Sequence, residues 1–153
     1  MTMKHTIKEK MELYTSSTKG KLEDLKVVLS DTSKNYSVTE EISKSGYFWT
    51  VLHYASHYGH YDTLLYLIDY LSDNPDKFEI FNMQTTEGKT PLFCAVLSGD
   101  IKKVEDKQRI IKLWFDTNCI DLSLRKQSGE DLLQLAKKNK LYDFIVEYCL
   151  RED

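Results

Sequence analysis

Thr50-Val51-Leu52-His53-Tyr54-Ala55 returns 40 residues further on as Thr90-Pro91-Leu92-Phe93-Cys94-Ala95, and each copy stops four positions short of a glycine, Gly59 and Gly99. The same frame fits Leu13-Tyr14-Thr15-Ser16 with Gly20 on one side. On the other it fits Leu133-Gln134-Leu135-Ala136, with Lys140 where the glycine would stand. The small anchors Ser16, Ala55, Ala95 and Ala136 are 39, 40 and 41 residues apart. A recurrence at this interval marks stacked units, each too small to bury its apolar face alone.

Within a unit the pattern is helix, break, helix. Thr90 is placed to cap a helix that Pro91 opens, since the first turn needs no N–H there, and Gly99 is expected to end it at positive φ. A second helix follows. In the second unit it carries Tyr61, Leu64, Leu65, Leu67, Ile68 and Leu71 at helical spacing. Shorter versions are Leu22, Leu25, Val28 and Leu29 in the first unit, and Tyr142, Ile145, Tyr148 and Cys149 in the fourth. The small anchors allow paired helices to approach closely. Thr6 with Glu9 reads as a capping box for the first helix.

These residues resemble the ankyrin repeat, whose T-P-L-H-x-A signature is closest at positions 50–55 and 90–95. Upstream, Phe81-Asn82-Met83-Gln84-Thr85-Thr86-Glu87-Gly88-Lys89-Thr90 is similar to the family's turn and helix start, with Thr85 in place of aspartate. Residues 121–133 are a looser copy. The resemblance covers roughly Lys10 to Leu150 and implies an all-α fold: a solenoid of stacked helix-turn-helix pairs, an α-α superhelix, with irregular long loops. The units are expected at about 6–40, 45–80, 84–120 and 125–153, within a single domain of residues 1–153. The family period is about 33 residues, so each unit here is longer by about six to eight. The extra length is expected after or within the second helices, between Leu29 and Ser45, Leu71 and Ile80, and Ile101 and Asp116. The last of these reads as one lengthened helix through Ile101, Val104, Ile110, Ile111 and Trp114, with the charged run 102–107 outside.

Composition excludes several function classes. Lys+Arg of 21 against Asp+Glu of 24 gives −3, without the basic excess of a phosphate-backbone binder, so no nucleic-acid partner is expected. Apolar runs stop after a few residues, as at Leu64-Leu65-Tyr66-Leu67-Ile68, which predicts no membrane span. Met1 to Lys10 is polar and lacks the apolar core of a signal peptide, so the expectation is an intracellular protein, cytoplasmic or nuclear. Cys94, Cys119 and Cys149 are far apart and form no CxxC pair, and are read as reduced, mostly buried thiols.

The candidates for chemistry are few. His53, His57 and His60 have spacings that could gather imidazoles for zinc, yet Gly59 interrupts the helix and no glutamate stands between the first two. The resemblance implies instead that His53 hydrogen-bonds the turn backbone. Cys94 lies on an apolar helix where burial raises a thiol's pKa; Cys119 is placed in a turn, where it could be exposed. Neighbouring carboxylates such as Glu40-Glu41 point to different sides and are read as solvated. Gly46, Gly88 and Gly129 recur at the repeat turns and suggest no nucleotide loop. No catalytic residue, metal or cofactor is assigned.

The resemblance implies that first helices line a concave face with the turns beside it, and second helices form the back. Residues on that face which packing does not dictate are Tyr47, Trp49, His57 and Tyr58 in the second unit. In the third they are Glu87, Lys89, Leu97 and Ser98, and in the fourth Ser128, Glu130, Lys138 and Asn139. Trp and Tyr dominate protein hot spots, so this face is expected to bind another protein, with the chain a monomer. Two alternatives stay open: an inhibitor or assembly chaperone that masks a partner's active surface, and an enzyme dependent on a metal or a cysteine.

Overall fold

Three of the first helices begin on a residue whose side chain or neighbour satisfies the free N–H groups of the first turn. Thr90 accepts from the Phe93 N–H at 3.1 Å with Pro91 at the first helical position. Asp131 and Gln134 form a reciprocal capping box, at 2.9 Å in both directions. At Thr50 the cap is unusual, because the N–H donates to Nδ1 of His53 at 3.1 Å. The helices so started are α3 (Val51–Tyr58), α6 (Pro91–Leu97) and α8 (Leu132–Lys138), preceded by α1 (Ile7–Thr18) and α2 (Leu22–Ser30). Their partners are α4 (Tyr61–Tyr70), α7 (Val104–Asp116) and α9 (Tyr142–Cys149), and a short α5 (Lys77–Phe81) follows α4. The computed structural model describes residues 7–30, 41–42 and 47–151. The Thr6/Glu9 cap, Gly46 and most of the Leu29–Ser45 connection lie outside the described residues.

The pairs α1–α2, α3–α4, α6–α7 and α8–α9 stack in chain order. First helices contact first helices (α1 to α3 to α6 to α8), and second helices α2, α4, α7 and α9 form the other layer. No strand is present among the described residues, and the fold is the all-α solenoid of stacked helix pairs that the resemblance to the ankyrin repeat implied. The core runs continuously between the layers through Leu13, Leu25, Leu52, Leu64, Leu67, Ile110, Ile111, Leu135 and Ile145, all 1% exposed or less. Each such side chain contributes roughly 1.5–3 kcal/mol on burial. Ser16, Ala55, Ala95 and Ala136 are buried at the helix crossings, as close approach demands. Leu65, expected in the apolar stripe, is exposed, because the stripe is one residue wider than the surface α4 buries.

Neighbouring units are tied by backbone and side-chain hydrogen bonds between their turns. The Thr86 N–H donates to the Tyr47 carbonyl at 2.9 Å and the Gln127 N–H to the Glu87 carbonyl at 2.8 Å. Asn82 donates to the Cys119 carbonyl and accepts from the Asp121 N–H, one side chain gripping the backbone on both sides of Ile120. Cys119 is therefore buried, contrary to the exposure its turn position suggested. The additional residues of the second unit fold as α5, which buries Ile80 and Phe81 and sets the Phe81 ring edge-on to Trp114 at 5.4 Å. Trp114 is fully buried and its indole N–H reaches Ser56 Oγ of α3 at 2.9 Å.

The third unit departs from the expectation. Gly20 and Gly59 end their first helices at φ +65° and +72°, and Lys140 adopts φ 60° in the fourth unit, so the backbone keeps the turn even where the glycine is missing. Gly99 does not have positive φ, and α6 ends one residue earlier on Ser98, whose backbone is extended. The inserted residues fall between the two helices as well as in the second: α7 starts only at Val104, which is half exposed and not part of the core. Lys107, expected on the outer side, turns inward and donates to the carbonyls of Val96 and Ser98 at 3.2 and 2.8 Å. It caps α6 in place of the left-handed glycine, and its partial burial lowers its pKa from the ordinary lysine value. Lys107→Met is expected to lower stability by about 1 kcal/mol in urea unfolding. Gly99→Ala, with open space around its added Cβ, is expected to raise it by about 0.5 kcal/mol.

Candidate functional site

The segment before α3 is built to present rings. Ile42 is buried and its N–H donates to the Trp49 carbonyl at 2.9 Å, while Thr86 holds Tyr47 from the next turn. Between these anchors Phe48 adopts φ 63°, a left-handed conformation costing an aromatic residue about 1–3 kcal/mol. Its N–H donates to Glu41 Oε1 at 3.3 Å. Tyr47 and Phe48 are exposed as a result, at 51% and 43%.

From Trp49 the rings continue across two units. Trp49 lies 5.0 Å from Tyr54 and 5.4 Å, edge-on, from His57. Tyr54 meets Tyr14 of α1 edge-on at 5.2 Å, His57 meets Tyr58 at 4.7 Å, and Tyr58 stacks on His60 at 6.0 Å. Most of these rings belong to α3 and the segments flanking it, and the stacking of α1 on α3 adds Tyr14. Polar groups border the run. His57 Nε2 donates to Asp100 Oδ2 at 2.6 Å, and Lys89 lies 5.8 Å from the Trp49 ring centre while pairing with Glu87 at 3.4 Å. Burial raises the pKa of Tyr54 well above the ordinary tyrosine value, with Tyr14, Tyr58 and Glu41 adding to it. Burial, Asp100 and Tyr14 raise that of Tyr58.

The three histidines are committed to separate partners. His53 is fully buried, and its Nε2 N–H donates to the carbonyls of Met83 and Lys89 at 2.8 and 3.1 Å, as the resemblance implied for the turn backbone. His60 Nε2 donates to the Thr18 carbonyl at 2.7 Å, clasping the first unit. Cys94 is buried in the core and desolvation pushes its thiol pKa far up, away from nucleophilic use.

Of the residues expected on the binding face, Trp49, His57, Tyr58, Glu87 and Lys89 come together, while Tyr47 is exposed and tied to the next turn through its carbonyl. Ser98 does not belong with them. It is buried, its hydroxyl donates to the His57 carbonyl at 2.5 Å and accepts from the Asp100 and Ile101 N–H groups, so it is a structural clasp. Leu97 packs against the core, and Asn139 is half-buried with its amide on the Leu135 carbonyl at 2.7 Å. Lys138 and Ser128 both bond Glu130, forming a separate exposed polar group on the fourth unit. Sequence reasoning missed Tyr14, Phe48, Tyr54 and Asp100. Tyr54 occupies the variable position of the hexapeptide and could have been placed on the face by aligning the units, whereas Tyr14 occupies the register position of the buried His53 and could not.

A family model described as ankyrin repeats (3 copies) matches residues 13–106. Among solved structures, a chain in the crystal structure of the yeast ribosomal protein Rps3 in complex with its chaperone Yar1 superposes with a TM-score of 0.78. The match covers 98% of this chain and 99% of that one at 20% sequence identity, a likeness of fold alone. None of the curated proteins matches this sequence. Residues 125–151 lie beyond the family-model match, yet they repeat its turn, capping box and helix pair.

Proposed function

The chain belongs to the ankyrin-repeat family, and from that premise we propose that it is a non-catalytic module, one domain of residues 1–153, that binds a partner protein through the face of its first helices and turns. The family is generally an interaction scaffold, and function resides in the surface each member displays. The observation that carries the reading is the run of rings from Tyr14 through Tyr54, Trp49 and His57 to Tyr58, bordered by Lys89 and Asp100. A rigid aromatic centre with a polar rim has the composition of a protein hot spot.

The expected result is that Trp49→Ala with Tyr58→Ala abolishes capture of a partner from a cell lysate. Helical circular dichroism should stay unchanged, and Tyr70→Ala on the opposite layer should capture normally. Equal capture by all three chains would refute this face. A second reading is favoured by the fold shared with the chain from a ribosomal protein–chaperone complex: the module covers a partner's surface during assembly. In that case the captured partner should remain soluble at physiological salt only while this chain is present. An adaptor's partner would stay soluble alone.

A further inference from the structure

The third and fourth turns close with the same two bonds. In the third the Thr85 N–H donates to the Lys89 carbonyl and the Gly88 N–H to the Thr85 carbonyl; in the fourth Lys126 donates to Glu130 and Gly129 to Lys126. The outer edge of the third turn is filled by the fourth through three contacts. The Glu87 carbonyl accepts the Gln127 N–H at 2.8 Å. Gln84 Nε2 donates to the carbonyl of Gly88 in its own turn at 3.0 Å and across to the Arg125 carbonyl at 2.9 Å. Gly88, at φ +83°, admits the backbone of Lys126 and Gln127 into the space a Cβ would take. The second turn holds the third in the same register, the Tyr47 carbonyl accepting the Thr86 N–H at 2.9 Å. This kind of edge therefore takes a polypeptide backbone twice within the molecule.

The fourth turn presents that edge again. In the aligned units Ser128 stands where Glu87 does, Gly129 where Gly88 does and Arg125 where Gln84 does. Arg125 makes the first of Gln84's bonds, from Nη1 to the Gly129 carbonyl at 2.9 Å, and its side chain is 57% exposed. A guanidinium has five N–H groups, so donors remain for a second acceptor beyond the turn. Gly129 lies at φ +95° with nothing within 4 Å of an added Cβ. Ser128 is exposed, and its carbonyl accepts no backbone N–H among the described residues. Main-chain edges of this kind capture other chains by backbone hydrogen bonds. We propose that the fourth turn is a docking edge for the backbone of a partner protein, separate from the aromatic face. One residue of the partner segment donates its N–H to the Ser128 carbonyl, and the carbonyl two residues earlier accepts from Arg125. Gln127 and Arg125 have this spacing where they dock on the third turn. The third and fourth turns of a second copy do not supply the donor, because their Thr86 and Gln127 N–H groups are already bonded.

The test titrates the full chain, isotopically labelled for NMR, with a backbone-cyclised peptide of the sequence Ser123 to Asp131, which holds the turn that fills the equivalent edge of the third unit. Saturable shifts centred on Ser128 and Gly129 of the chain are expected, with a Kd on the order of 1 mM, as suits a contact of two backbone bonds. Methylating the nitrogen of the peptide's Gln127 removes the donor and should weaken binding by about tenfold. Gly129→Ala, which places a Cβ in the path of the docking backbone, should weaken it by at least about tenfold. Arg125→Ala should weaken it by about fivefold, whereas Arg125→Gln, the residue the third turn uses, should restore most of the affinity. Trp49→Ala with Tyr58→Ala should bind the peptide as the wild type does. Equal binding of the methylated peptide would overturn the proposal, as would shifts centred on Gly88 or no saturable shift at all. Should Gly129→Ala melt early, the comparison of the two peptides on the wild-type chain decides alone. Self-association of the wild type that Gly129→Ala abolishes would put a second copy on the edge and overturn the assignment to a partner.

Discussion

Gly88→Ala is expected to destabilise the chain by about 4 kcal/mol, whereas Gly129→Ala, the equivalent position one unit later, should lose only about 1 kcal/mol. Both glycines have positive φ, +83° and +95°, so both substitutions incur conformational strain. They differ in what an added Cβ would meet. At Gly88 it would lie 2.7 Å from the Gln127 nitrogen and 2.9 Å from the Lys126 Cα, the backbone of the next turn, which has no rotamer by which to withdraw. At Gly129 there is nothing within 4 Å. The contact at Gly88 is the place where the Gln127 N–H bonds the Glu87 carbonyl, so the collision would prise apart the third and fourth turns. In a stacked array an interface lost between units costs the coupling that holds the terminal one. Urea unfolding followed by circular dichroism measures both variants. Equal losses would show that the turns do not need their close approach.

That contrast indicates what a sequence of this type discloses. The period, the capping threonines and Pro91 expose the helix pairs directly, because helix ends and apolar spacing depend on neighbouring residues. Gly88 and Gly129 look alike for the same reason: each answers a local demand for positive φ, while the close backbone approach that distinguishes them comes from another unit. The same limit explains Ser98. Its position on the first helix matched the binding face, but the His57 carbonyl that fixes it lies 41 residues away. Gly99 misled in the opposite direction, since Lys107 took over the capping that a left-handed glycine performs elsewhere. On the face itself, Trp49 and Tyr58 were legible as aromatics the fold does not require. Tyr14 became a neighbour of Tyr54 only through stacking of α1 on α3. Charged rim residues were least legible, because Asp100 sits in the irregular connection ahead of α7, where no repeat position corresponds to it.

Acidification is expected to weaken the fold by about 3 kcal/mol between pH 6.5 and pH 4 through His53 alone. Burial lowers the pKa of this imidazole from 6.5 to about 4, although its bonds to the Met83 and Lys89 carbonyls partly oppose the shift. The unfolded chain therefore takes up a proton below pH 6.5 that the folded chain refuses until about pH 4, and stability falls as pH falls across that window. Above pH 6.5 the ring is neutral in both states and contributes no slope. The neutral form is also the one the contacts require. Nδ1 must accept from the Thr50 N–H while Nε2 donates to two carbonyls, so a second proton would face a donor already aimed at Nδ1. His53→Gln should be less stable than wild type at pH 7, having lost part of this three-way clasp between α3 and the following turn, but its stability should change less with acidification. Subtracting the two pH profiles cancels the carboxylates common to both chains and leaves the histidine's contribution. Parallel profiles between pH 6.5 and 4 would mean that the ring titrates alike in the folded and unfolded chain and is not sealed from water.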